Sequence, residues 1–194
     1  YATEKGILVI NTPGINTISA AELAIGLLLS VMRNIVPAHR HMSELKWDRH
    51  VFTGSELLGK SIGIIGLGNV GHRIARYARA FEMEVLAYDP YVSDEVFDRN
   101  HAKKCNLKEI LESVDIISMH VPRNEETIGM IGASEFSIMK SGAVILNTAR
   151  GGVIQEEALL EALKSGKVAA AGIDTWEVEP PIENPFRDFP QVVM

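Results

Sequence analysis

The stretch SIGIIGLGNVGHRIARYARAFEMEVLAYD, residues 61–89, decides the fold. Ile62 to Ile65 is an apolar run of strand length, and it leads straight into Gly66, Gly68 and Gly71 of GLGNVG. A helical pattern carrying Ile74, Ala75, Ala78 and Phe81 follows at once. Glycines at those three places allow a tight turn, close approach of the backbone to a pyrophosphate, and close contact between helix and strand, with the phosphates on the helix N-terminus. Glycine-rich turns are common, so GxGxxG alone says little. Here a second strand, Glu84 to Tyr88, ends in Asp89, 21 residues after Gly68, which is the context a dinucleotide site requires. A carboxylate at that strand end accepts hydrogen bonds from an adenosine ribose diol and repels a 2′-phosphate, and Pro90 and Tyr91 bring no cation. The stretch therefore predicts NAD rather than NADP. A methyltransferase binding S-adenosylmethionine also uses a glycine-rich first turn and a downstream acid. The glycine spacing, and the residues of the second half, favour a dinucleotide.

Working outward, further near-continuous apolar runs stand at Ile116 to His120, Ala143 to Asn147 and Val168 to Ile173. Helical patterns fall between the strands at about Asn69 to Phe81, Leu107 to Ser113, Ser134 to Lys140 and Gln155 to Lys164. Strands that are apolar on both faces and alternate with amphipathic helices predict an α/β, doubly wound parallel sheet, the Rossmann fold. Pro180 to Pro190 is rich in proline and polar residues and reads as an exposed crossover leading away from the sheet.

Upstream, Gly6 to Ile10 (GILVI) is β-branched and ended by Asn11, Pro13 and Gly14, the pattern of a strand entering a turn. Ser19 and Glu22 are spaced as a capping box before a long apolar helix, expected to run to about Val36, where Pro37 interferes. Residues 39–56 are polar and irregular and read as a connector. Residues 1–194 are expected to be one domain, with 1–56 as entry strand, long helix and connector, 57–179 as the core, and 180–194 as the crossover. The chain opens on Tyr1 and stops at Met194 within ValValMet, so both ends read as cuts.

Composition limits the partners. The 194 residues carry a net charge of −6 and one cysteine, Cys105. Without a basic field, nucleic acid and anionic membranes are not expected partners. The lone cysteine excludes an internal disulfide and any Cys-based zinc cluster, fits a reducing, cytoplasmic setting, and reads as a small buried apolar group; no metal site is expected. Ile18 to Met32 carries Glu22 and is closed by Arg33, short of the ~20 clean residues a membrane span needs.

The strand Ala143 to Asn147 runs into ThrAlaArgGlyGly, putting Arg150 at the carboxyl end of a parallel strand, where ligands of open α/β sheets bind. Its forked guanidinium can take a carboxylate and a neighbouring oxo group. The next strand ends in Asp174, and Glu179 follows in TrpGluValGluProPro. Of six histidines, His120 at a strand end is the best placed for acid/base work.

NTPGIN with SAAELAIGLLL, ELLGKSIGIIGLGNVG, YDPY, HVPRNEETIGMI, NTARGGVIQEEALLEAL and DTWEVEPP resemble, in order and across essentially the whole chain, the signatures of the D-isomer-specific 2-hydroxyacid dehydrogenases. LysTrpAspArg with PheThrGlySerGluLeu is most similar to the 3-phosphoglycerate dehydrogenase branch. The resemblance implies that Arg150 binds substrate carboxylate and keto oxygen and that Glu179 orients the catalytic histidine and raises its pKa. It makes Asn69, Val70 and Val121 cofactor-binding positions beside the glycines and Asp89. Thr148 and Ala149 then line the nicotinamide, Arg150 counts among the cofactor-binding positions as well, Asp174 lies near the carboxamide, and the crossover 180–194 leads toward a second, substrate domain. Glu177 becomes the bystander, because the family acid sits next to proline. Gln155 departs from the usual Asp or Asn, with an effect expected on helix capping. The family's proton-transferring histidine follows the last strand in a ProHis pair beyond Met194, so His120 is rejected and the 194 residues alone are expected to bind NADH without turnover. The family also pairs through this domain, and the apolar helix at Ser19 agrees with a homodimer. Corepressors that use NAD to regulate assembly share this fold and are the alternative, with YDPYVSD resembling that branch; LysTrpAspArg favours metabolism of a 2-hydroxy or 2-oxo acid.

Overall fold

The computed structural model describes residues 1–10, 12, 14–48 and 50–194; Asn11, Pro13 and Arg49, which belong to the NTPGIN and LysTrpAspArg segments, lie outside them. The strands are β1 (Ser61–Ile65), β2 (Glu84–Tyr88), β3 (Lys103–Lys104), β4 (Ile116–Met119), β5 (Ala143–Asn147), β6 (Val168–Ile173) and β7 (Val192–Val193). They form one seven-stranded sheet in the order β3-β2-β1-β4-β5-β6-β7. Every pair is parallel. Winding runs one way from β1 through β2 to β3 and the other way from β4, so the direction reverses between β1 and β4, the place where open α/β sheets leave a crevice for ligands.

Among the described residues the α-helices are α1 (Thr17–Met32), α2 (Ile35–Ser43), α3 (Gly71–Ala80), α4 (Asp94–Arg99), α5 (Leu107–Ser113), α6 (Ala133–Ile138) and α7 (Glu156–Lys164). Alternate strand residues divide the core in two. Ile62 and Ile64 of β1, Val85 and Ala87 of β2, and Val144 and Leu146 of β5 join α1, α3 and α4 on one face. Ile65, Leu86, Ile117, Ile145 and Ala171 join α5, α6 and α7 on the other. Burial on both faces is why these strands are apolar without alternation.

The N-terminal segment departs from expectation. Gly6 to Ile10 forms no strand, and Ile7, Leu8, Val9 and Ile10 are 57–81% exposed. β-propensity cannot make a strand without a neighbour to pair with, and none of the described strands lies beside it. The long helix begins earlier than the Ser19 to Glu22 box: Asn16 is its N-cap, no side chain caps it, and its first turn closes through Ala20 N–H to Asn16 carbonyl. It ends at Met32 rather than near Val36. Asn34 takes a left-handed conformation (φ 54°), and the chain turns by 64° into α2. Pro37 falls in the first turn of α2, where its lacking N–H costs nothing. The segment read as connector is helical as far as Ser43. Ala21, Ala24, Leu27, Leu28 and Val31 of α1 are buried, whereas Ile18 and Leu23 are 49% and 42% exposed. So α1 is a layer of the core with a second apolar face outward. No single helix is long and apolar enough to cross a membrane; the bent α1–α2 pair meets that test by length and composition only, with most of the inward face of α1 buried.

At the other end, Pro180 to Pro190 runs mostly exposed, as expected, but it does not lead away from the sheet. Phe186 is fully buried, 5.9 Å from the Trp176 ring, and the chain returns as β7 beside β6. Cys105 is half-buried rather than buried, and burial pushes its thiol pKa up.

Candidate functional site

The carboxyl ends of β1, β2 and β4 surround a cleft of ≈ 470 Å³ lined by Gly66, Gly68, Asp89, Tyr91, His120 and Val121, among others. Its floor is the glycine turn. Gly66 sits at φ +96°, and a Cβ on Gly71 would lie 2.0 Å from the Gly66 carbonyl oxygen, so neither tolerates a side chain. A Cβ on Gly68 would meet nothing within 4 Å: that backbone is open to an incoming group. Asn69 and Val70 complete the turn, and Val70 is the N-cap of α3, which has no side-chain cap; the His72 and Arg73 N–H groups donate to the Gly68 and Val70 carbonyls at 3.1 and 2.9 Å.

Asp89 is half-buried at the end of β2. One carboxylate oxygen accepts the Leu67 N–H at 2.8 Å and the other the Tyr91 N–H at 2.9 Å. These bonds orient the group and leave a lone pair on each oxygen for a diol. The Tyr91 hydroxyl donates to Glu126 across the cleft, raising the Tyr91 pKa. The wall beyond β4 is a local turn: the Thr127 hydroxyl donates to the Pro122 carbonyl at 2.5 Å and accepts from Asn124 N–H at 2.9 Å. Neither the Tyr91 bridge nor this turn was read from sequence, although Asn-x-x-Thr within HVPRNEET is a recognisable turn signal.

His120 lines this cleft. Its Nε2 shares a 2.8 Å hydrogen bond with the Ser118 hydroxyl, and burial holds its pKa down to about 4. It is a neutral imidazole in the same cleft as Asp89.

A second group of residues gathers at the ends of β5 and β6. Asn147, 3% exposed, accepts the Ala149 N–H at 3.1 Å and donates to the Arg150 carbonyl at 3.0 Å, so one buried amide shapes the turn that carries Thr148, Ala149 and Arg150. The Arg150 side chain is exposed and donates to the Ala149 carbonyl at 2.6 Å. A Cβ on Gly151 would fall 1.6 Å from the Trp176 carbonyl oxygen, which brings the Arg150 loop against the segment after β6. There the Asp174 N–H donates to the Asn147 carbonyl at 3.0 Å, and Glu179 accepts the Trp176 N–H at 3.1 Å. Burial, and then the Glu179 charge, raise the Asp174 pKa. The hydroxyls of Thr148 and Thr175 are buried without a hydrogen-bond partner, and Thr175 was not anticipated. Two orphaned hydroxyls at adjacent strand ends are suited to a polar ligand.

Glu177 has a different part. It accepts the Glu156 N–H at 2.9 Å while Glu156 accepts the Glu177 N–H at 2.7 Å, a reciprocal cap on α7. Gln155, the N-cap residue, makes no capping bond and reaches toward the Gly129 carbonyl at 3.5 Å instead. The capping effect expected of Gln155 is supplied from 21 residues away. Among the described residues, no cluster of His, Cys, Asp and Glu is arranged to hold a metal ion.

Residues 25–194 match the family model described as D-isomer specific 2-hydroxyacid dehydrogenase, NAD binding domain. The chain is 50% identical over 193 residues to a D-3-phosphoglycerate dehydrogenase of Archaeoglobus fulgidus, covering 99% of this chain and 37% of that protein. It is 46% identical over 182 residues to a hydroxypyruvate reductase of Thermotoga maritima, covering 94% of this chain and 58% of that one. The structure of an Aquifex aeolicus D-lactate dehydrogenase complexed with NAD and lactic acid superimposes at TM-score 0.87, with 30% identity, across 100% of this chain and 63% of that one. The chain thus spans little more than a third to about three fifths of these relatives. The open backbone at Gly68, the oriented Asp89 carboxylate and the two orphaned hydroxyls fit the cofactor that the family description names. The chain belongs to the D-isomer specific 2-hydroxyacid dehydrogenase family and is its NAD-binding domain.

Proposed function

We propose that these residues form the cofactor half of a dehydrogenase that interconverts a D-2-hydroxy acid and its 2-oxo acid, with 3-phosphoglycerate as the substrate and serine biosynthesis as the setting. What supports this most is the pairing on one sheet edge of an oriented Asp89 with the Arg150 and Glu179 loops. The relatives named D-3-phosphoglycerate dehydrogenase support the substrate and favour it over the corepressor alternative. In this reading the backbone of the turn from Gly66 to Gly71, at the head of α3, holds the pyrophosphate, Asp89 the ribose, and Val121 the adenine side. Thr148, Ala149 and Asp174 border the nicotinamide, which supplies or accepts hydride when NAD is bound. Arg150 anchors the substrate carboxylate and keto oxygen. Glu179 is a positioning residue for a histidine.

The proton donor is not among these residues. His120 is neutral, tied to Ser118 and set in the Asp89 cleft, and among the described residues no histidine hydrogen-bonds Glu179. A general acid contributes typically ~100 to 10,000-fold, so the 194 residues bind NADH without measurable turnover. Residues 1–194 are a single domain with segments 1–56, 57–179 and 180–194, the setting is cytoplasmic, and the chains pair as homodimers through the outward apolar face of α1, where Ile18 and Leu23 stand exposed. The test is a rate assay with hydroxypyruvate, phosphohydroxypyruvate and pyruvate beside sedimentation. Turnover by the 194 residues alone, or a monomer at high concentration, would overturn the corresponding part; in the parent protein, Arg150→Ala should abolish turnover while leaving NADH binding intact.

A further inference from the structure

On the outer side of α3, away from the cofactor cleft, lies a hollow of ≈ 320 Å³ lined by four arginines together with two histidines and Asn100. His72, Arg76 and Arg79 stand at i, i+4 and i+7 on one stripe of α3, with Arg73 on its flank, and Arg99 and His101 face them from the end of α4. None of these residues lines the cofactor cleft. In a chain of net charge −6, four arginines share one concavity. Not one of them pairs with a carboxylate within 4.0 Å among the described residues.

The helices do not account for this arrangement. Arg79 and Arg99 sit in the last turns of α3 and α4, where a cation favours the helix dipole. Arg73 lies in the first turn of α3, where the dipole disfavours it, and that turn carries no acid. Arg73 with Arg76, and Arg76 with Arg79, are like charges three residues apart, which destabilises a helix. Moreover, the Arg73 Nε is buried without any hydrogen-bond partner, a donor that the protein itself leaves unsatisfied.

We propose that this hollow is a binding site for a small phosphate-bearing molecule, with Arg73, Arg76, Arg79 and Arg99 as its ligands. Guanidinium forks match phosphate oxygens in pairs, and four of them balance about two phosphate dianions. The concave shape selects a compact anion over the extended backbone of a nucleic acid. Because α3 begins at the glycine turn, an anion held here also bears on the helix whose N-terminus faces the cofactor.

The test is calorimetry on the full chain saturated with NADH, at constant ionic strength, using inorganic phosphate and a sugar bisphosphate as probes and chloride as control. The Arg73 Nε–H resonance is followed in parallel. Saturable millimolar or tighter binding is expected, with the Arg73 resonance shifting and the bisphosphate bound roughly tenfold or more tightly than phosphate; a reversed order assigns the site to the free ion. Arg76→Glu and Arg79→Glu should each weaken binding about tenfold or more and leave the NADH affinity within about twofold, with Arg76→Gln as a milder variant should either fail to fold. Absence of saturable binding, a response equal to that of chloride, displacement of the probe by excess NADH, or preference for a duplex oligonucleotide would each overturn the proposal.

Discussion

Asn147→Ala is the substitution for which the structure permits the fullest reckoning. The Asn147 side chain is 3% exposed and makes two hydrogen bonds within its own loop, to the Ala149 N–H and the Arg150 carbonyl. Alanine removes both partners at once. Leaving a buried polar group unpaired costs roughly 1–3 kcal/mol. Ala149 is 8% exposed and its N–H has nowhere else to turn, whereas the carbonyl of exposed Arg150 can reach water, so its share falls at the low end. About 3 kcal/mol in all is expected. For a chain of this size each kcal/mol moves Tm by roughly 2–4 °C, so thermal unfolding should shift down by about 6–12 °C. Asn147→Asp keeps the acceptor for Ala149 but sets a second oxygen against the Arg150 carbonyl, and should lose at least half as much. Amide exchange at Thr148 to Gly151 should rise in both variants. A Tm within about 2 °C of the parent for Asn147→Ala would refute the reasoning, since it would mean the loop holds its shape without the amide.

Three further outcomes follow from the same geometry. In Gly71→Ala the new Cβ, 2.0 Å from the Gly66 carbonyl oxygen, must push the glycine turn apart, so NADH binding in a fluorescence titration should be lost even where circular dichroism remains near normal. Burial depresses the His120 pKa from 6.5 to about 4, so an unfolded chain takes up a proton between those values that the folded chain refuses. Stability is therefore complete above about pH 6.5 and declines as pH falls toward 4, by about 3 kcal/mol at ~1.4 kcal/mol per unit; denaturant titrations of His120→Gln should show that slope flattened, and an unchanged slope would contradict the assignment. Glu177→Ala releases the N-terminus of α7 and should cost about 1 kcal/mol of stability, as lost caps do, with no change in NADH affinity.

The central strands were legible because both their faces are covered, which leaves unbroken apolar runs in the sequence. The outer ones were not. β3 is two exposed lysines at a sheet edge, where charge guards against further pairing and no apolar pattern exists to be read. β7 is two valines whose strand character depends on β6 lying beside them. Gly6 to Ile10 misled for the same reason in reverse: its composition suits a strand, but pairing is a property of the neighbour. The cofactor turn and Asp89 could be read because their spacing is local. The Asn147 amide looked like the end of a strand, and the α7 cap looked like the business of Gln155 until the fold brought Glu177 beside Glu156. The basic hollow escaped because its arginines come from two helices about 20 residues apart, with acids between them in sequence and outside it in space.

The measurement that bears most directly on the account is a paired titration of the chain with NADH and NADPH, on the parent and on Asp89→Ala. Asp89, held by the Leu67 and Tyr91 amides, should accept the ribose diol and repel a 2′-phosphate. Saturable NADH binding is expected, with NADPH weaker by about tenfold or more and, in Asp89→Ala, a loss of roughly 10–100-fold in NADH affinity and a narrowed gap, as for about 1.5–3 kcal/mol of charge-assisted hydrogen bonding. NADPH bound as tightly as NADH by the parent chain, or no NADH binding at all, would contradict it.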